Sequence, residues 1–200
     1  MKQGTSKVAE IFANYRDVFL WVIFGLLFAI LLQIGTHFSA PTADGYINPI
    51  HKALTFGTAY PLVWILNLFG VVSRIETTYL NTVNGMFIVF GRPEAVTYRF
   101  EIIYECTGVY AWIVYSAAVL AFPTAVKNRL LGFALGIPAL YVVNLFRFIC
   151  LGIIGAFWPS AFEFAHAYLW QVIIIGFVIL MFWGYLAWIV KKNPLTAKKA

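Results

Sequence analysis

The chain has 200 residues, of which 62% are hydrophobic, 18% aromatic and only 11% charged. A soluble domain is typically about half apolar and about a quarter charged, so this composition excludes an ordinary water-soluble globule and points to an integral membrane protein. The net charge of +6 does not signal nucleic acid, because the basic residues gather at the ends of apolar runs, where they report topology.

A membrane β-barrel would show many alternating segments of about ten residues; the runs here are longer and continuous, so the expected fold is an all-α polytopic bundle. Residues 1–17 are polar, carry Lys2, Lys7 and Arg16, and read as a cytoplasmic N-terminus. Residues 18–35 are almost wholly apolar and long enough to span. A basic front before an apolar run also has the form of a signal peptide, with Phe38-Ser39-Ala40 as a poor cleavage candidate. Because further spans follow, an uncleaved first helix is expected. Residues 37–60 hold Pro41, Asp44, Gly45 and Asn48 and read as a loop, with a short helix starting near Pro49. The apolar run 61–72 has about twelve residues against the roughly twenty a helical span needs. Extended back to Ala53 it could just cross; the alternative is a helix lying along the bilayer surface.

Residues 74–105 read as a small β insert. Asn84-Gly85 is a hairpin-type turn signal before Met86-Phe87-Ile88-Val89-Phe90, and Gly91-Arg92-Pro93 breaks that run. Then Val96, Tyr98, Phe100, Ile102 and Tyr104 alternate with Thr97, Arg99, Glu101, Ile103 and Glu105, the period of a half-buried strand. An open sheet edge cannot face hydrocarbon, so the insert belongs outside the lipid. Three spans follow: 106–122, ended by Pro123; 130–155, followed by Trp158-Pro159; and 167–190, stopped by Lys191, Lys192 and Pro194.

Placing the N-terminus, the 123–129 link and the 191–200 tail in the cytoplasm puts nine of the fourteen basic residues on that side, as topology rules require. An even number of crossings must then separate the first span from the one that starts outside at Cys106. The simplest solution is about four spans, with 53–72 interfacial or re-entrant, in a single membrane-embedded domain over 1–200.

Cys106 falls where the β insert becomes a membrane helix. It lies about sixteen residues, or roughly 24 Å, from the cytoplasmic end of its span. Arg147 lies about eighteen residues beyond Arg129, roughly 27 Å by the same rise, and His166 lies at the outer start of the last span. All three therefore reach the outer leaflet. A thiol at a helix N-terminus or beside a cation has a lowered pKa and can be a nucleophile; the competing reading is an inert buried cysteine, which suits Cys150 better. A bridge between the two cysteines would disable thiol chemistry. Arg147 is costly in an apolar run and implies a partner or a cavity. On a helix it shares a face with Asn144. It could donate to a developing oxyanion, form a structural salt bridge to Glu101, Glu105 or Glu163, or snorkel outward. His166 could act as general acid/base, with Glu163 orienting it, or be a structural residue at the interface. Asn144, Glu105 and Tyr104, beside these three, are the candidate substrate contacts. Tyr110, Trp112, Trp158 and Trp170 read as interface aromatics, as Tyr104 also does. Gly132, Gly136, Gly152, Gly155 and Gly176 read as sites of close helix packing. No zinc-ligand spacing or phosphate-binding glycine loop appears, so no metal or cofactor is expected.

At Glu105-Cys106-Thr107-Gly108, Asn144-Leu145-Phe146-Arg147 and His166 the chain resembles the exosortase/archaeosortase family. Its members carry a Cys followed by a small residue and Gly, an N-x-x-R in a later helix and a His near the start of the next. The similarity covers roughly residues 77–190; Thr107 stands where the common form has Ser. The length resembles that of small single-domain exosortases of Gram-negative bacteria. The resemblance implies a cysteine protease/transpeptidase of the inner membrane, a hydrolase acting at the periplasmic face. Its partners would be membrane lipids and exported proteins whose C-terminal sorting signal is a short motif such as PEP, an apolar helix and a basic tail. It implies Cys106 as nucleophile, Arg147 as transition-state stabiliser and His166 as acid/base. The competing class is a non-enzymatic assembly factor or channel or transporter subunit in which Arg147 and His166 are structural.

Overall fold

The computed structural model describes residues 16–39, 49–80, 83–92 and 95–192. Two long helices open the chain, α1 (Arg16–Ser39) and α2 (Pro49–Leu68). Three strands follow: β1 (Ser73–Leu80), β2 (Val83–Arg92) and β3 (Ala95–Glu101). A 3-10 turn (Tyr104–Thr107) leads into α3 (Val109–Ala121) and then α4 (Val126–Phe157). The short α5 (Pro159–Phe164), a π-helical turn (Ala165–Leu169) and α6 (Trp170–Lys192) complete the chain. Two helices are long and apolar enough to cross a membrane, α4 and the stretch Pro159–Ile189; Val18–Ile34, Ala53–Leu68 and Val109–Ala121 are shorter apolar helices. Outward-facing Trp21, Trp64, Val172 and Trp183 are exposed, as side chains that meet lipid rather than water would be.

The first helix runs on to Ser39 rather than ending at Gly35. Helix α2 does start at Pro49 and is continuous through Pro61, so the apolar run that begins there does extend back past Ala53. A proline inside a helix cannot donate to the carbonyl four residues back. Here that carbonyl, on Gly57, instead accepts a hydrogen bond from the Tyr141 hydroxyl at 2.6 Å. The repair also ties α2 to α4. Ala59, Leu62 and Leu66 on α2 are fully buried in one core cluster with Ile88, Phe100 and Phe148. The helix is therefore built into the bundle beneath the sheet, not laid alone along a surface.

The sheet is antiparallel in the order β1-β2-β3. Leu80 pairs with Val83, Tyr79 with Asn84 and Thr78 with Gly85, so Asn84-Gly85 lies inside β2 and the chain reverses three residues earlier than its turn signal indicated. The connecting residues 81–82 lie outside the described residues. A bulge falls at Phe90/Gly91. Gly91 has φ 100, and a Cβ there would stand 2.9 Å from the Thr97 hydroxyl oxygen, so only glycine fits without strain. Asn67 fixes the entry to β1: its amide donates to the Ser73 carbonyl at 3.0 Å, and the Ser73 N–H donates to its Oδ1 at 2.9 Å.

The predicted alternation holds from Thr97 onward, with Phe100 and the following Ile102 buried, but Val96, expected on the same face, is exposed. The strand ends at Glu101, however, and Tyr104 and Glu105 belong to the 3-10 turn. Phe100 stacks on Phe148 of α4 with centroids 6.0 Å apart. Glycines on α4 let the sheet approach: a Cβ on Gly152 would lie 2.7 Å from the Phe90 ring, and one on Gly155 would overlap Tyr98. Gly132 and Gly136 likewise receive Tyr185 and Tyr115. Gly176 has nothing within 4 Å of its Cβ position, so close packing is not its role. Trp170 is buried against Leu151 and Ala165, a core residue rather than an interface aromatic.

Candidate active site

The residue that follows the sheet is the one that matters. Once β3 ends, the Cys106 N–H donates to the Ile103 carbonyl at 3.0 Å, closing the 3-10 turn. Gly108 then takes φ 85 and redirects the chain into α3. Cys106 therefore sits one turn ahead of α3, not on its first turn as the sequence suggested. Two contacts from α4 hold it there. The Asn144 amide donates to the Cys106 carbonyl at 3.1 Å, and the Asn144 side chain lies so close to Gly108 that a Cβ there would come within 3.1 Å of it.

His166 arrives from the opposite side. Its π turn adds one residue to the helical repeat, which re-aims a side chain and commonly marks a functional position. The ring stacks on Phe162, centroids 5.7 Å apart and planes 5° from parallel. Its Nε2 lies 3.3 Å from the Cys106 sulfur. Arg147, one turn beyond Asn144, comes close enough to Cys106 to interact with it electrostatically and lies over the Phe148 ring at 5.9 Å. Residues some forty and sixty positions downstream thus converge on one sulfur.

Both α4 side chains are buried, Asn144 at 2% and Arg147 at 6% exposure. Among the described residues Arg147 has no carboxylate partner; the ion pair among those residues joins Arg74 to Glu76. Salt bridges from Arg147 to Glu101 or Glu163, one alternative in the sequence, are not formed. The side chains of Glu105 and Tyr104 lie outside the described residues. Asn144 Oδ1 and Arg147 Nε are buried without a hydrogen-bond partner among the described residues. Cys150 is also a free thiol, half-buried, and packs with Leu151 and Ala165.

Tyr98 flanks the site, in edge contact with Phe162 at 5.6 Å. Burial, and after it the nearby Glu163 carboxylate, push its phenol above the ordinary tyrosine value, so it remains a neutral hydroxyl at physiological pH. Among the described residues no group of three His, Cys, Asp or Glu side chains could hold a metal ion. What the arrangement offers is acid–base and nucleophilic chemistry. An imidazole within reach of a thiol can take its proton, and a guanidinium beside the sulfur favours the anion.

Sequence reasoning singled out Cys106, Arg147, His166 and Asn144, and the fold brings these together. It did not assign the roles of Phe162 and Gly108. Phe162 precedes His166 by four residues, the spacing that stacks two rings on one helical face. Gly108 follows a buried turn, where glycine supplies a left-handed residue.

The sequence profile that matches this chain, over residues 18–189, is that of the transmembrane exosortases. The chain belongs to the transmembrane exosortase family. The match reaches beyond the 77–190 stretch over which the motifs suggest kinship and takes in α1 and α2. No curated protein and no solved structure matches the chain. In this exosortase the thiol, imidazole and guanidinium meet at the end of the bundle that carries the sheet.

Proposed function

We propose that this exosortase is a cysteine protease/transpeptidase that cleaves exported proteins at a C-terminal sorting signal, at the periplasmic face of a bacterial inner membrane. The observation that carries the reading is the 3.3 Å approach of His166 Nε2 to the Cys106 sulfur, with the Arg147 guanidinium in electrostatic reach of the same residue. His166 Nε2 accepts the thiol proton, which leaves the ring's own proton on Nδ1. The thiolate attacks the scissile carbonyl, and the oxygen that gains the electron pair is met by the Arg147 guanidinium. Collapse breaks the C–N bond, His166 returns its proton to the leaving amine, and a thioester stays on Cys106. Water or an acceptor amine then attacks the thioester and restores the thiol. A structural arginine would normally find a carboxylate; among the described residues Arg147 meets a thiol instead, which supports the enzymatic reading over the non-enzymatic one.

Among the described residues β3 pairs only with β2, which leaves an edge to which an extended motif can add as a strand. The chain of β3 leads within a few residues to Cys106, so a peptide laid there passes the thiol. Co-expression with a protein ending in a short motif, an apolar helix and a basic tail tests the proposal. Wild type shortens that protein and Cys106→Ala leaves it whole. Shortening that survives Cys106→Ala and disappears in Cys150→Ala overturns the assignment.

A further inference from the structure

Two cavities meet along α3. The first, about 240 Å³, opens at Gly108 and Arg147 and continues past Ala111 and Val114 to Val178 and Ile179 of α6. The second, about 410 Å³, shares Val114, Val178 and Ile179 and extends past Ala118 and Ala121 to Trp21 and Phe24 of α1. Together they form one groove whose floor is α3 and whose walls are α1 and α6. From Gly108 to Phe122 its floor rises roughly 21 Å at 1.5 Å per residue, most of the hydrocarbon thickness of a bilayer.

The lining changes character along its length. Arg147 and Gln171 lie at the sheet end, and the far half is lined by apolar side chains alone. Along the floor Gly108, just ahead of α3, is followed on one face by Ala111, Val114, Ala118 and Ala121, small residues interrupted only by Val114. Small residues in a row let another helix approach closely in lipid, where packing rather than the hydrophobic effect drives association. An occupant of this groove is therefore apolar over most of a bilayer and polar only where it reaches Arg147.

We infer that the groove is the docking site for a single apolar transmembrane helix of the substrate protein, seated on the small-residue face of α3 so that the peptide leaving its outer end passes Cys106. This rests on the peptidase reading above and adds where the membrane segment binds. Contact along the groove, remote from the reacting bond, would supply binding energy that holds the scissile peptide in place. A lipid acyl chain is the other apolar occupant of such a space, and the experiment separates the two.

The probe is the co-expressed reporter used above, with one cysteine at the middle of its apolar helix. In a Cys106→Ala, Cys150→Ser background, Ala118→Cys is expected to form a disulfide with that helix on copper–phenanthroline oxidation. Val142→Cys, on the exposed face of α4, is not. This readout needs no cleavage. In the active enzyme Ala118→Trp, which fills the groove, is expected to slow cleavage roughly tenfold or more, as loss of remote binding does. Val142→Trp leaves the rate unchanged. The rate at which iodoacetamide alkylates Cys106, measured with Cys150→Ser, is unchanged in Ala118→Trp and shows that the site is still folded. Crosslinking at Val142→Cys as strong as at Ala118→Cys, or normal cleavage by Ala118→Trp, overturns the groove; loss of co-purifying lipid from Ala118→Trp with normal cleavage assigns the space to lipid. Specific crosslinking at Ala118→Cys together with cleavage that persists in Cys106→Ala overturns the peptidase reading and leaves the groove standing.

Discussion

Arg147 lies in an apolar helix with its guanidinium against a sulfur. The two functions proposed for it, favouring the thiolate and meeting the oxyanion, both depend on the shape of the fork as well as on charge. A lysine keeps the charge and loses the rigid, multiply donating plane. Arg147→Lys is therefore expected to lower the cleavage rate roughly a hundredfold, as removal of one oxyanion donor does, while the protein inserts and folds normally. A rate within a few-fold of wild type, measured as initial rates of substrate shortening, would show that the guanidinium is not at the oxyanion. Asn144 makes a different contribution. Its amide holds the Cys106 carbonyl, and its Oδ1, without a partner among the described residues, is proposed to accept an N–H from a bound peptide. Asn144→Asp keeps an acceptor and loses the donor, and is expected to slow alkylation of Cys106 as well as cleavage. Asn144→Ala slowing cleavage while leaving alkylation unaffected would confine its role to the substrate. These residues were legible in the sequence because a guanidinium, an amide and a thiol are conspicuous in apolar runs. Their contacts were not, since the i to i+3 spacing places Asn144 and Arg147 on one face without saying what that face meets.

The turn between β3 and α3 decides where the thiol points. Gly108 holds φ 85, a conformation that costs an L-residue about 1–2 kcal/mol, and its neighbour is the Asn144 side chain. Gly108→Ala is expected to lose about that much stability and to push Asn144 from the Cys106 carbonyl, with cleavage falling more than the melting temperature alone explains. Gly176→Ala, with open space at its Cβ position, serves as the unaffected control. Equal behaviour of the two variants would remove the turn from the account. Local signals failed here for identifiable reasons. Asn84-Gly85 is a strong turn dipeptide, yet its pairing with Tyr79 and Thr78 places it in a strand, where register along the whole hairpin outweighs the dipeptide. The helix passes through Pro61 because Tyr141 supplies the hydrogen bond that proline cannot, and that donor lies eighty-four residues from the Gly57 carbonyl it meets, beyond any local reading. The π turn at His166 has no signature in periodicity.

Composition alone placed the chain in a membrane, because a quarter-charged soluble surface cannot be built from 11% charged residues. The distribution of lysine and arginine then gives the expected orientation, with the sheet and the thiol outside. An impermeant maleimide is expected to label a cysteine placed at exposed Thr97 of β3 from the periplasm of intact cells, and to spare one placed at exposed Ala125 in the link between α3 and α4 until the membrane is breached. The reverse pattern would invert the topology and put the site in the cytoplasm. Within that frame the bundle brings distant residues to one sulfur, and α2, built in beneath the sheet, packs against the turn that carries it. Whether that sulfur is the nucleophile is decided by the mass of the co-expressed substrate in cells carrying wild type, Cys106→Ala or Cys150→Ala. The expected result is a shortened substrate with wild type and Cys150→Ala and an intact one with Cys106→Ala; a shortened substrate with Cys106→Ala would contradict the mechanism.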